Sequence, residues 1–126
     1  MSVLIDTSVW VDHVRRCNDV LVDLIQLDLA LTHPMIVLEL ACGTPPSPRA
    51  QTLSDIELLR PAHQASLREV MQLIEREELY GLGCGLVDLT LLASTLLTPA
   101  ATLWTLDKRL AGLADRFGIA HQPGLH

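Results

Sequence analysis

Ser2-Val3-Leu4-Ile5-Asp6-Thr7-Ser8-Val9-Trp10 is the stretch that decides how the chain is built. Its first four residues form a short apolar run rich in β-branched side chains, the pattern of a strand buried on both faces in a parallel sheet. A carboxylate and two hydroxyls follow at once. In open α/β sheets ligands bind in the crevice beyond the carboxyl ends of the strands, so Asp6 stands where such proteins keep their chemistry.

The composition suits that fold. Of 126 residues 49% are hydrophobic but only 3% aromatic, so the core must be made of Leu, Val, Ile and Ala. That favours helices packed on a parallel sheet over a β-sandwich or an aromatic platform for single-stranded nucleic acid. A single domain over residues 1–126 is expected, long enough to bury a core without disulfides or a structural metal. The three cysteines, Cys17, Cys42 and Cys84, lack C-x-x-C spacing and indicate a reducing cytosol and a cytoplasmic protein. A formal charge of −6 argues against a generic nucleic-acid-binding surface. No run approaches the roughly 18 consecutive apolar residues of a membrane span, and Asp6 and Asp12 interrupt any signal-peptide pattern.

Outward from the first strand, Thr7 to Arg16 reads as a helix with Val9, Trp10 and His13 or Val14 on one face. Asn18 and Asp19 restart a helix whose stripe is Leu21, Leu24, Ile25 and Leu27. Leu29 to Thr32 is a strand, and His33-Pro34 opens a helix that runs to Gly43. Thr44 to Pro48 is a loop, residues 49–59 a helix ended by Pro61, and residues 64–79 an amphipathic helix with Leu67, Val70, Met71, Ile74 and Leu79 inward. Gly81, Gly83 and Gly85 read as a flexible connection. Leu86 to Leu97 is a nearly all-apolar helix, Ala101 to Leu106 a strand, Lys108 to Arg116 a helix, and Gly118 to His121 an edge strand. Alternating strands and helices predict an α/β fold: a three-layer α/β/α sandwich around a four- to five-stranded parallel sheet.

Three more acids sit in apolar settings. Glu39 is the one charge in Met35 to Ala41, Asp88 the one charge in Gly85 to Ala93, and Asp107 ends a strand as Asp6 does. An unpaired buried carboxylate costs several kcal/mol, so such acids are paired, protonated or bound to a cation. Each has a simpler explanation: Asp6 and Asp107 as helix N-caps, Asp88 as a first-turn acid, Glu39 as an exposed acid. As a set, all four can point into one crevice. Carboxylates that close repel one another, and hard divalent cations such as Mg2+ relieve this with oxygen ligands and retained waters. A phosphodiester completes such a shell, which points to a metal-dependent nuclease. Thr7, Ser8 and Thr105 can orient water or phosphate, or serve ordinary strand-end hydrogen bonds. Arg15, Arg16, Lys108 and Arg109 flank the crevice and can contact phosphates, or simply cover helix ends.

Competing chemistries fit less well. A haloacid-dehalogenase-type phosphotransfer site has a second Asp where Ser8 stands, and no glycine fingerprint follows the first strand. The five histidines lack metal-ligand spacing. Cys42, Cys84, Trp10 and Trp104 read as core residues.

The chain resembles the PIN-domain family, specifically its VapC-type toxins of toxin–antitoxin modules. The resemblance rests on Ile5-Asp6-Thr7-Ser8-Val9-Trp10-Val11-Asp12-His13, on His33-Pro34 leading to Leu38-Glu39-Leu40-Ala41, on Gly83 to Ser94 with Val87-Asp88, and on Leu103 to Leu110. It implies a Mg2+- or Mn2+-dependent endoribonuclease acting on tRNA or rRNA. Asp6, Glu39, Asp88 and Asp107 match the family's acidic quartet, with Asp6 and Asp88 the expected direct metal ligands and Thr7, Ser8 and Thr105 at its supporting hydroxyls. It also implies a homodimer held inactive by a cognate VapB-type antitoxin, with operator DNA bound through that antitoxin. A housekeeping RNA-processing nuclease and a catalytically silent RNA- or protein-binding module are the alternatives.

Overall fold

The structure is a computed structural model and describes residues 1–122. In chain order its elements are β1 (Ser2–Ile5), α1 (Thr7–Arg15), α2 (Asp19–Gln26), β2 (Ala30–Thr32), α3 (Pro34–Cys42), α4 (Arg49–Glu57), β3 (Arg60–Pro61), α5 (Leu67–Glu77), α6 (Leu86–Leu97), β4 (Ala101–Trp104) and α7 (Lys108–Arg116). The four strands form one parallel sheet in the order β3-β2-β1-β4, with Val3 opposite Ala30 and Ile5 opposite Trp104. Successive residues of a strand point to opposite faces, and all four residues of β1 are buried. Helices therefore cover the sheet on both sides, which makes the fold the expected α/β sandwich.

The core is aliphatic, as the composition requires. Leu4, Ile5, Leu31, Leu91, Leu92, Leu103 and Leu110 are almost completely buried, each contributing about 1.5–3 kcal/mol of transfer free energy. The helices start where short polar side chains cap them. Asn18 accepts from the Leu21 N–H at 3.1 Å, and Ser66 and Glu69 form a reciprocal capping box on α5. At α3 the cap is His33, whose Nδ1 accepts from the Met35 N–H at 3.1 Å while Pro34 takes the first turn. With Nδ1 an acceptor, the proton sits on Nε2 and is donated to Ser94 Oγ at 3.1 Å. Ser94 Oγ also accepts from the Ala65 N–H at 3.0 Å, so one buried hydroxyl ties α6 to α3 and to the segment entering α5.

Several expectations need correction. Pro61 does not merely stop a helix; it pairs with Thr32 in β3, a two-residue strand absent from the sequence reading. Proline is tolerated there because β3 is the sheet edge and lacks a further strand to receive its missing N–H. Helix α5 is shorter than residues 64–79, since Ser66 caps it, and it is rotated: Leu73 joins Val70 inside, while Leu67 and Met71 are exposed. Leu27 is exposed at the end of α2, and Val14 is exposed on α1. Strand β4 ends at Trp104 rather than Leu106. The Gly118–His121 strand is reduced to one parallel bridge, Leu103 to Ala120, with His121 N–H donating to the Leu103 carbonyl at 3.0 Å. Among the described residues no helix is long and apolar enough to cross a membrane.

Strands β2 and β3 lie to one side of β1 and β4 to the other, so the order reverses between β1 and β4. Their carboxyl ends therefore open the crevice at a topological switch point.

Candidate active site

Asp6 lies at that crevice, at the end of β1, and is buried. Its carboxylate caps α1 through the Ser8 N–H, and its Oδ2 also accepts hydroxyl protons from Ser8 Oγ and Thr105 Oγ1, both at 2.7 Å. Each hydroxyl is pinned from behind. The Leu106 N–H donates to Ser8 Oγ at 2.9 Å, and the Asp107 N–H donates to Thr105 Oγ1 at 3.1 Å. A hydroxyl has one proton, and both protons here go to Asp6. The 3.3 Å approach of Ser8 Oγ to Thr105 Oγ1 is therefore a contact without a proton. All of this falls on Oδ2; Oδ1 accepts no hydrogen bond among the described residues.

The other acids arrive from three helices. Glu39, exposed on α3, accepts the Thr7 hydroxyl proton on Oε1 at 2.6 Å, tying α3 to the first turn of α1. Asp107 caps α7, its Oδ1 accepting from the Arg109 and Leu110 N–H groups at 2.9 and 3.0 Å. Asp88 is a half-buried first-turn acid of α6. Burial pushes its carboxyl above the usual carboxylate range, and the charges of Asp6, Asp107 and Glu39 push it further, against the opposing Gly85 N–H. The capping roles that the sequence offers for Asp6 and Asp107 are real, and so is the first-turn position of Asp88. They coexist with a shared field in which Asp88 feels all three of the other acids.

Among the described residues no three His, Cys, Asp or Glu side chains close into a metal cage. The acids share a crevice rather than a formed coordination shell. The donor chemistry still fits a hard divalent cation: every donor is oxygen, the charges repel, and Mg2+ needs only one or two carboxylates while keeping its waters.

The basic residues divide. Arg16 turns back along its own helix to Asp12 at 3.2 Å, whereas Arg15 lines a groove beside the site. Lys108 and Arg109 are exposed in the first turn of α7. The groove, about 710 Å³, runs between α1, α3, α4 and the proline loop; it includes Thr7 and Glu39 at its acidic end and Trp10, Val14 and Ile56 along its wall. The buried indole N–H of Trp10 has no acceptor among the described residues.

Two features escaped the sequence reading. The loop before α6 is not a free connection, because Arg109 donates to the Gly83 carbonyl at 3.3 Å. Cys84 packs half-buried against the core as its sequence suggests, but also beside the acids, where burial, Asp88 and Asp107 push its thiol up with Arg109 opposing; Cys42, also read as core, is instead exposed. A glycine three residues before a helix was the available signal for the first; nothing local marks the second.

Among curated proteins the chain is similar to "Ribonuclease VapC32" of Mycobacterium tuberculosis, in strains CDC 1551 / Oshkosh and ATCC 25618 / H37Rv. Each is 39% identical over 121 residues, covering 94% of this chain and 94% of the relative. No protein-family model matches the chain.

Proposed function

The chain belongs to the VapC ribonuclease family, and from that premise we propose that it is a metal-dependent endoribonuclease, the toxin of a toxin–antitoxin pair, hydrolysing phosphodiester bonds of cellular tRNA or rRNA. The observation that carries this reading to the chain is the state of Asp6: one carboxylate oxygen is locked by Ser8 and Thr105, and the other has no partner among the described residues. A carboxylate oriented at that cost, at a switch point and among three other acids, is suited to a cation rather than to capping alone.

Asp6 and Asp88 would hold Mg2+ or Mn2+, with Glu39 and Asp107 beside them. A divalent cation bound there supplies an activated water for attack on phosphorus and neutralises charge on the leaving oxygen. The chain's own residues do the positioning. Ser8 and Thr105 set the plane of the Asp6 carboxylate, and Thr7 sets Glu39. Asp107 spends Oδ1 on its helix and has Oδ2 to turn toward the crevice. Lys108, Arg109, Arg15 and Arg16 supply the phosphate contacts, Arg16 only after leaving Asp12.

The same reading makes the protein a cytoplasmic homodimer, silenced by a VapB-type antitoxin that also carries the complex to operator DNA. The groove supports this partner, since it is continuous with Thr7 and Glu39 and has an apolar wall that includes Val11, Val14 and Ile56.

The test is cleavage of total bacterial RNA by antitoxin-free protein in Mg2+ or Mn2+, with EDTA and with Asp6→Asn, which keeps size and capping. Discrete fragments lost in both controls are expected. Intact RNA in every lane, together with tight RNA binding, would replace the nuclease by the silent binding module.

A further inference from the structure

The loop from α5 to α6 carries three left-handed residues, Glu78, Gly81 and Gly83, with φ of 54°, 73° and 88°. The two glycines differ in what surrounds them. A Cβ on Gly81 would meet nothing within 4 Å, whereas on Gly83 it would lie 2.7 Å from Arg109 Nη1 and 3.0 Å from Cδ and Cζ. Arg109 thus packs its side chain into the space a missing Cβ leaves, and Nη1 donates to the carbonyl of the same glycine. Both backbone freedom and close approach require glycine there.

Held this way, the guanidinium stays unneutralised. It is two residues from Asp107, yet among the described residues it makes no ion pair. Only Arg16, paired with Asp12, and Arg76 and Arg116, paired with Glu77, are neutralised by carboxylates among the described residues; what sets Arg109 apart from the remaining arginines is that a loop carbonyl anchors it next to Asp107. Its one 3.3 Å bond leaves most of its five N–H donors free, in a planar fork that matches phosphate oxygens. Its position is beside the acids: its backbone N–H donates to Asp107 Oδ1 at 2.9 Å, and its guanidinium bonds the loop that leads into α6, whose first turn carries Asp88. An acid cluster alone repels RNA. A cation fixed beside it, kept off the carboxylates by a loop carbonyl, gives the backbone a foothold without filling the metal site.

We propose that Arg109 engages a phosphate of RNA bound at the crevice and that Gly83 is the positioning residue that sets its guanidinium there. This rests on the ribonuclease reading above.

The test compares Arg109→Ala, Arg109→Lys, Gly83→Ala and Gly81→Ala for binding of fluorescein-labelled total tRNA in EDTA over a salt series. Cleavage in Mg2+ and thermal midpoints are measured alongside. Arg109→Ala should weaken binding about tenfold or more, with the log–log salt slope shallower by roughly 0.7–0.9, one phosphate contact. Arg109→Lys should keep the slope and lose part of the affinity. Gly83→Ala should weaken binding at least about threefold by displacing the guanidinium, while Gly81→Ala, equally strained but in open space, should bind like wild type. Wild-type slope and affinity in Arg109→Ala, or indistinguishable glycine variants, would overturn the proposal. Wild type that neither binds tRNA nor cleaves any tRNA or rRNA of total bacterial RNA sinks the ribonuclease reading itself, and this inference with it; cleavage that Arg109→Ala leaves unchanged sinks only the assignment of Arg109.

Discussion

Replacing Ser8 by Ala removes one atom from the centre of the site, and the structure sets what that costs. Ser8 Oγ donates to the buried Asp6 carboxylate at 2.7 Å and accepts from the Leu106 N–H at 2.9 Å. The first is a charge-assisted bond worth about 1.5–3 kcal/mol. The second costs little to lose, since Leu106 is exposed and water can replace Ser8. The expected destabilisation is therefore about 1.5–2 kcal/mol, read as a lower urea midpoint at unchanged slope. Thr105→Val removes the partner bond to the same oxygen. Either single variant leaves Oδ2 one hydroxyl; the double leaves a buried carboxylate oxygen with only the long 3.4 Å Ser8 N–H contact. The double should thus lose more than the sum of the singles, by about 0.5–1 kcal/mol. Additivity within about 0.3 kcal/mol, or a Ser8→Ala protein as stable as wild type, would refute the shared-oxygen network.

His33 predicts a pH dependence. Burial holds its pKa below the ordinary value of 6.5, so the unfolded chain takes up the proton first. Its contribution is intact above pH 6.5 and is lost as pH falls below that value, at up to about 1.4 kcal/mol per pH unit, until the folded pKa is reached. Unfolding midpoints at pH 7.5 and 5.5 should differ in that direction, and less so in His33→Asn; an identical pH response in the variant would remove His33 as the cause. Asp88 has the opposite sign, because its raised folded pKa means that the folded state gains relative stability as pH falls through it. Asp88→Asn should accordingly raise the thermal midpoint at pH 7 in EDTA while abolishing cleavage. Mg2+ should raise the wild-type midpoint and leave that of Asp88→Asn nearly unchanged, and equal shifts in the two would place the cation elsewhere.

What the sequence made legible follows from how local each signal is. Helix α6, helix α7 and the starts of α1, α2 and α3 are marked by caps and breakers within a few residues, and they fall where those marks stand. Strand β3 had no such mark: two residues, one of them proline, become a strand only because β2 already offers an edge. The face of α5 was misjudged for a related reason. Leu67, Val70, Met71 and Ile74 share a helical stripe as well as Val70, Leu73 and Ile74 do, and only packing against α6 chooses between them. The Gly83–Arg109 contact spans 26 residues, and nothing local announces it.

The candidate site was suggested by the sequence for a different reason. Asp6 and Asp107 fit the reading of helix caps and also the reading of a metal-binding pair, and the two do not compete. A carboxylate has two oxygens: capping occupies Oδ2 of Asp6 and Oδ1 of Asp107, and no hydrogen bond among the described residues reaches the others. Using the acid as the cap fixes the side chain against the strand end, so the free oxygen is held in place at little further entropic cost. The helix start that ends each strand thereby orients the group that would meet the cation. Isolated acids at strand ends are ambiguous in sequence because one residue serves both ends. What favours the second reading is a third and fourth acid brought to the same field, Glu39, which makes no capping bond, and Asp88, whose one backbone partner, the Gly85 N–H, is outweighed by burial and by the charges of Asp6 and Asp107.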